Sequence, residues 1–147
     1  MYLAHKKKLS INSIKSRKEF NIIYSGVKSI SDTIVLFSSQ LETTQQSFAF
    51  VASKKVGSAV SRNRAKRRMR AALRIVLNSY NSRKPMQFLN NTGRLKENYV
   101  NQAVEHFCIN GTILVARNTI LTAAFEKIVK DLKYCIKKSE KLSQINV

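Results

Sequence analysis

From Ser58 to Leu77 the chain runs without a glycine, a proline or an acidic residue, and this stretch constrains every fold available to the rest. It is rich in Ala, Arg, Leu and Met, which favour helix, and it predicts one over about Ser58–Leu77. At about 100° per residue, Ala65, Met69, Ala72, Leu73 and Val76 fall in one stripe that can pack on a sheet. Asn63, Lys66, Arg67, Arg70 and Arg74 gather on a second face. Arg64 and Arg68 sit a turn apart on a third, and Arg62 lies at the edge of the apolar stripe. One helix is thus expected to dock into a core while presenting cations in two directions.

The charge around this helix is one-sided. No acidic residue lies between Glu42 and Glu97, and Ser53–Arg74 holds nine of the 27 Lys and Arg residues. Solvated helix faces usually mix signs to form i, i+4 ion pairs, whereas Arg64 with Arg68, Lys66 with Arg70 and Arg70 with Arg74 repel. A formal net charge of +19 opposes a compact state unless a polyanion neutralises it. In the helix Arg outnumbers Lys six to one, which favours bidentate phosphate contacts and stacking over diffuse attraction. A membrane partner is not expected, because a helix lying on a bilayer wants Trp, Phe or Leu opposite its cations. Two of the five stripe positions here are alanine.

Other chemistries find little support. No stretch reaches the length of a membrane span, and no long apolar run follows His5-Lys6-Lys7-Lys8, so a secretory signal is not expected and the cytoplasm is the expected location. Cys108 and Cys135 have no metal-site or disulfide-scaffold spacing, and two free thiols are expected. His5 and His106 stand apart from any partner motif. Asn90-Asn91-Thr92 and Asn110-Gly111-Thr112 read as chance sequons. A self-sufficient nuclease needs clustered carboxylates or a histidine acid–base pair. The eight acidic residues (Glu19, Asp32, Glu42, Glu97, Glu105, Glu126, Asp131, Glu140) are scattered, so neither a catalytic residue nor a protein-held metal is expected.

The rest of the chain predicts a single domain over 1–147, with a folded core of about 9–138. A first helix is expected near Ser16–Ser25, with Ser16 and Glu19 as a capping box and Gly26 as its stop. Thr33–Phe37 and Phe48–Ala52 read as strands joined as a hairpin through the polar Ser38–Ser47. After the basic helix, about 78–96 reads as a polar loop or insertion, and Glu97–Cys108 as another helix. Thr112–Ala116 reads as a strand covered by helices, Thr119–Lys138 as the last helix, and 139–147 as a frayed tail. The order α-β-β-α-(α)-β-α predicts a layered α+β (α-β sandwich) fold, a small sheet packed with helices.

Composition does not separate RNA from DNA. A basic helix can enter a DNA major groove, while RNA binders usually add an aromatic-bearing sheet for unstacked bases. Phe20, Tyr24, Phe37, Phe48 and Phe50 are candidates, and each taken singly is a natural core residue. A DNA-binding dimer would call for a helix-turn-helix partner helix, and a ribosomal protein for long basic tails; neither shows.

The run from Phe48 to Arg70 resembles the signature of the bacterial ribonuclease P protein subunit. A strand leads to Ser53-Lys54-Lys55-Val56-Gly57, and then to a helix with Arg62-Asn63-Arg64-Ala65-Lys66-Arg67 and a further Arg70. The resemblance extends more weakly over about Leu9–Lys138. It implies an enzyme whose RNA subunit, with bound Mg²⁺, hydrolyses precursor tRNA to release the 5′ leader. The protein binds that catalytic RNA and the leader, and no protein partner is evident. It also implies a left-handed β-α-β crossover, against the general rule. Carried onto this chain, Lys54, Lys55, Arg62, Asn63, Arg64, Arg67 and Arg68 are expected on the catalytic RNA. Phe20, Tyr24, Val35 and Phe37 are expected to line the leader cleft, with Lys66 and Arg70 at its edge.

Overall fold

A computed structural model describes residues 11–43, 45–82 and 110–145. Its elements run β1 (Asn12–Ser13), α1 (Arg17–Tyr24), β2 (Val27–Ile30), β3 (Ile34–Ser39), β4 (Ser47–Val51), α2 (Ala59–Ser82), β5 (Gly111–Ala116) and α3 (Phe125–Ile145). Short 3-10 turns at Lys54–Val56 and Asn118–Leu121 precede α2 and α3. The strands form one mixed sheet in the order β1-β4-β5-β3-β2. The architecture is the α+β fold expected.

The central strand is β5. It runs parallel to β4, with Phe50 opposite Leu114, and antiparallel to β3, with Leu36 opposite the same Leu114. The predicted β3–β4 hairpin is therefore corrected: β5 lies between the two strands, and β3 pairs instead with β2. Thr-Ile-Leu-Val-Ala of β5 is nearly all apolar, as a strand flanked on both edges and covered on both faces requires. The parallel neighbours β4 and β5 are the ends of a crossover that contains α2.

Strand alternation divides the core in two. Ile34, Leu36, Phe48, Leu114 and Ala116 face α2 and α3, where they meet Ala65, Met69, Ala72, Leu73 and Val76 of α2 and Ile128, Leu132, Cys135 and Ile136 of α3. Ala49 and Ile113 face the other way, with Ile14, Ile23 and Leu41, and with Phe20, Phe37, Val51 and Val115 partly buried beside them. The whole predicted apolar stripe of α2 is thus buried, each member at most 1% exposed.

The ends of several elements differ from expectation. Ser16 precedes α1 in extended conformation but makes no side-chain cap bond, so the capping box is not formed. Gly26 is not in the left-handed region, which among the described residues only Gly57 occupies, at φ 136°. Gly26 is needed for proximity, since a Cβ there would lie 2.2 Å from the Ser38 carbonyl oxygen. Helix α2 continues to Ser82, into what was expected to be the start of the polar insertion. Helix α3 begins at Phe125 instead of Thr119 and runs to Ile145. The predicted frayed tail is instead helix over most of its length, with Ser139 buried. The helix expected at Glu97–Cys108 lies outside the described residues.

Asn110 fastens the β3–β4 connection. Its side-chain Nδ2 donates to the carbonyls of Leu41 (2.8 Å) and Thr43, while its Oδ1 accepts from the Leu41 amide. The residue is buried, so the Asn110-Gly111-Thr112 sequon is a structural device. Cys135 is a free, buried thiol.

Candidate nucleic-acid interface

The basic helix is launched by a backbone that demands glycine. Strand β4 ends at Val51, Lys54 and Lys55 stand exposed on the 3-10 turn, and Gly57 turns the chain at φ 136°, a region L side chains disfavour. Ser58 then caps α2, its hydroxyl accepting from the Ser61 amide at 3.3 Å. The Ser-Lys-Lys-Val-Gly run thereby fixes the direction in which the arginines leave the sheet.

Beyond that cap, α2 separates its side chains as the angular arithmetic requires. Asn63, Arg64, Arg67, Arg70 and Arg74 are exposed, and Arg62, Lys66 and Arg68 are half-buried. Among the described residues the ion pairs are those of Lys127 with Asp32 (2.9 Å) and with Asp131 (3.9 Å). None of the α2 cations is neutralised by a carboxylate there, so the helix carries its repulsion outward.

Arg68 is engaged differently from its neighbours. Its guanidinium donates to the carbonyls of Ile120, Leu121 (3.1 Å) and Ala123, around the end of the second 3-10 turn. Those carbonyls precede α3 and have little else to accept from, and a guanidinium fork supplies the donors they need. Arg68 therefore joins α2 to the β5–α3 connection, a role that no count of charges could reveal. Arg64, Arg67, Arg68, Ala71 and Phe125 together line a shallow concavity beside this joint.

A second surface lies across the sheet. Helix α1 is only eight residues long and covers part of its face, leaving rings accessible at its side. Phe20 and Tyr24 stack with ring centres 6.3 Å apart, and Tyr24 meets Phe37 of β3 edge to face at 4.9 Å. The Lys28 ammonium lies 5.6 Å from the centre of the Phe37 ring. Val35, half-buried, shares this face and stands opposite Val115 of β5. Tyr24 is 41% exposed, and its partial burial pushes the phenol above its ordinary pKa. Phe20, Tyr24, Val35 and Phe37 are thus brought together, and Lys28 joins them without having been singled out in the sequence.

Lys66 and Arg70, expected at the edge of that cleft, stand across the sheet from its rings. They belong to α2, on the opposite face, where the Arg70 guanidinium lies 5.1 Å from the centre of the Phe50 ring. Phe48, on the same strand face as Phe50, is buried and belongs to the core. Among the described residues no group of three or more His, Cys, Asp or Glu side chains is placed to hold a metal ion. No helix among them is long and apolar enough to cross a membrane.

Fold and surface together define a small α+β protein built to present cations on one side of a sheet and aromatic rings on the other. The family model of Ribonuclease P matches residues 10–109, and the chain belongs to that family. It is similar to the ribonuclease P protein component of Fusobacterium nucleatum, 38% identical over 72 residues (48% of this chain and 65% of that one). It is also similar to that of Nitratiruptor sp., 42% identical over 62 residues (42% and 55%). The matched segments thus span less than two thirds of these relatives. In fold it resembles the RNase P proteins of Staphylococcus aureus (TM-score 0.58, 20% identity, 88% of this chain and 96% of that one) and Thermotoga maritima (0.57, 16%, 86% and 96%).

Proposed function

We propose that this chain is the protein subunit of a ribonuclease P. It binds a catalytic RNA and the 5′ leader of precursor tRNA, and assists endonucleolytic release of that leader in the cytoplasm. The observation that carries this reading is the row of cations on α2 that no carboxylate neutralises among the described residues, held rigid by a buried apolar stripe. Lys54, Lys55, Arg62, Asn63, Arg64 and Arg67 contact the catalytic RNA, and Arg68 serves the same surface by fixing how α2 leaves the core. The rings of Phe20, Tyr24 and Phe37, with Val35, receive the leader. Stacking on them contributes about 1–3 kcal/mol per base whatever the sequence, as a general tRNA-maturation factor requires. Lys66 and Arg70 guide the strand around the β4 edge.

In this reading the RNA subunit performs phosphodiester hydrolysis with Mg²⁺ that it binds itself, and the protein contributes charge and position. The test is reconstitution with a candidate catalytic RNA at low Mg²⁺, assayed for release of a tRNA 5′ leader. Protein and RNA together are expected to cleave where neither does alone. Robust cleavage by the protein without RNA would overturn the auxiliary role.

A further inference from the structure

Helix α3 carries a second cationic surface that the reading above leaves unused. Its buried residues Ile128, Leu132, Cys135, Ile136 and Ser139 face the core. On the opposite side, at about 100° per residue, Lys130, Lys133, Lys137 and Lys141 form one stripe with Lys138 on its flank. Lys133 is half-buried and the other four are exposed. None of these lysines pairs with a carboxylate among the described residues, where the ion pairs belong to Lys127. The Lys138 ammonium lies instead 5.7 Å from the centre of the Tyr134 ring, which is 53% exposed. Like charges thus recur along about 16 Å of helix; the exposed Glu126, four residues before Lys130 on the same side, offsets part of that charge without forming an ion pair with it.

What this stripe fits is a phosphate backbone. A bilayer is excluded by geometry, since the apolar side of α3 is occupied by the core and a membrane-lying helix must insert that side. Helices α2 and α3 pack on each other and on the same face of the sheet, whereas the ring cleft lies on the other face. A polyanion following the α2 arginines therefore meets α3 next. We propose that the α3 lysine stripe is a second docking surface for the catalytic RNA, continuous with the one on α2; this rests on the function proposed above. Lysines on flexible stems give sequence-independent attraction, where the arginines of α2 fix geometry.

The test compares three full-length proteins: the wild type, a variant with Lys130, Lys133, Lys137 and Lys141 all replaced by Gln, and Arg64→Ala with Arg67→Ala. Gln is close to Lys in helix propensity, and circular dichroism checks that the fold is kept. Affinity for the catalytic RNA is measured across a salt series, and affinity for precursor tRNA on the assembled enzyme. The Lys→Gln variant is expected to bind catalytic RNA about tenfold more weakly at low salt. Its salt slope falls by about 0.9 for each duplex phosphate that the protein no longer neutralises, and the assembled enzyme keeps its affinity for precursor tRNA. Unchanged affinity and slope, a loss confined to precursor tRNA, or a loss seen only on anionic lipid vesicles would each overturn the proposal. If the Arg64/Arg67 variant also binds as the wild type does, the ribonuclease P reading falls; if it weakens while the Lys→Gln variant does not, only the α3 surface falls.

Discussion

Tyr24 of α1 meets Phe37 of β3 edge to face, with ring centres 4.9 Å apart. The pair ties the end of a short helix to the sheet and leaves Tyr24 in solvent, so one ring supports the other in a stacking position. Tyr24→Ala is expected to remove that platform and lower discrimination between leader-bearing and mature tRNA by about 1–3 kcal/mol, while Tyr24→Phe keeps most of it. Binding of both substrates to the assembled enzyme measures this. An equal loss for the two would mean that Tyr24 serves only the fold.

Arg68 and Arg64, one helical turn apart, should separate in their effects. Arg68→Ala leaves the carbonyls of Ile120, Leu121 and Ala123 without their donor, at a cost of about 1–3 kcal/mol. Arg64→Ala removes an exposed cation and should change stability by less than about 0.5 kcal/mol. Its effect belongs to RNA binding, where the salt slope falls by about 0.9 if Arg64 neutralises one duplex phosphate. Urea unfolding and a salt series of RNA binding distinguish the two. Equal stability of both variants would contradict the joint between α2 and α3.

Gly26 answers to space. A Cβ placed there meets the Ser38 carbonyl oxygen at 2.2 Å and the Ser39 Cβ at 2.9 Å, and backbone atoms of β3 cannot yield as a flexible side chain would. Gly26→Ala is expected to cost about 1–3 kcal/mol, read from the urea midpoint. Little change would mean that the α1–β2 turn can move away from β3.

The Asp32–Lys127 pair sets a modest pH dependence. The bond from the ammonium holds the Asp32 carboxyl below its ordinary range and lifts Lys127 above its own. The Asp32 contribution is present above its unfolded pKa and is lost as pH falls through the depressed folded value. The Lys127 contribution is present below its ordinary pKa and is lost as pH rises through the raised one. Both groups face solvent, so the effect is small and screened by salt. Asp32→Asn should therefore be slightly less stable than the wild type near neutrality and indistinguishable from it in strong acid. A gap that persists in acid would trace to the turn and not to the charge.

Much of this was legible in the residues because some patterns are local. The α2 stripe follows from a 3.6-residue period, and all five predicted positions are buried. Phe48 and Phe50 fall on one strand face as alternation demands. Sheet order was not legible, because nothing near Ser38–Ser47 signals that a strand some 70 residues later will insert between β3 and β4. Strand β2 escaped notice because Val-Lys-Ser-Ile buries only a serine. At the interface, the Phe20 to Tyr24 end of α1 announced its rings. Arg68 did not announce its role, since its partners are carbonyls more than 50 residues away and carbonyls carry no sequence signature. Lys28 joined the ring cleft through β2, the strand that was missed.

The alternation of β3 has a consequence for how such a protein can vary. Val35 and Phe37 serve one side of the sheet, while Ile34 and Leu36, their immediate neighbours in the chain, anchor the helices on the other. Substitutions across that boundary share few partners, so their effects should sum rather than compound. The ring side can therefore change residue by residue without disturbing the packing that holds the arginine helix in place.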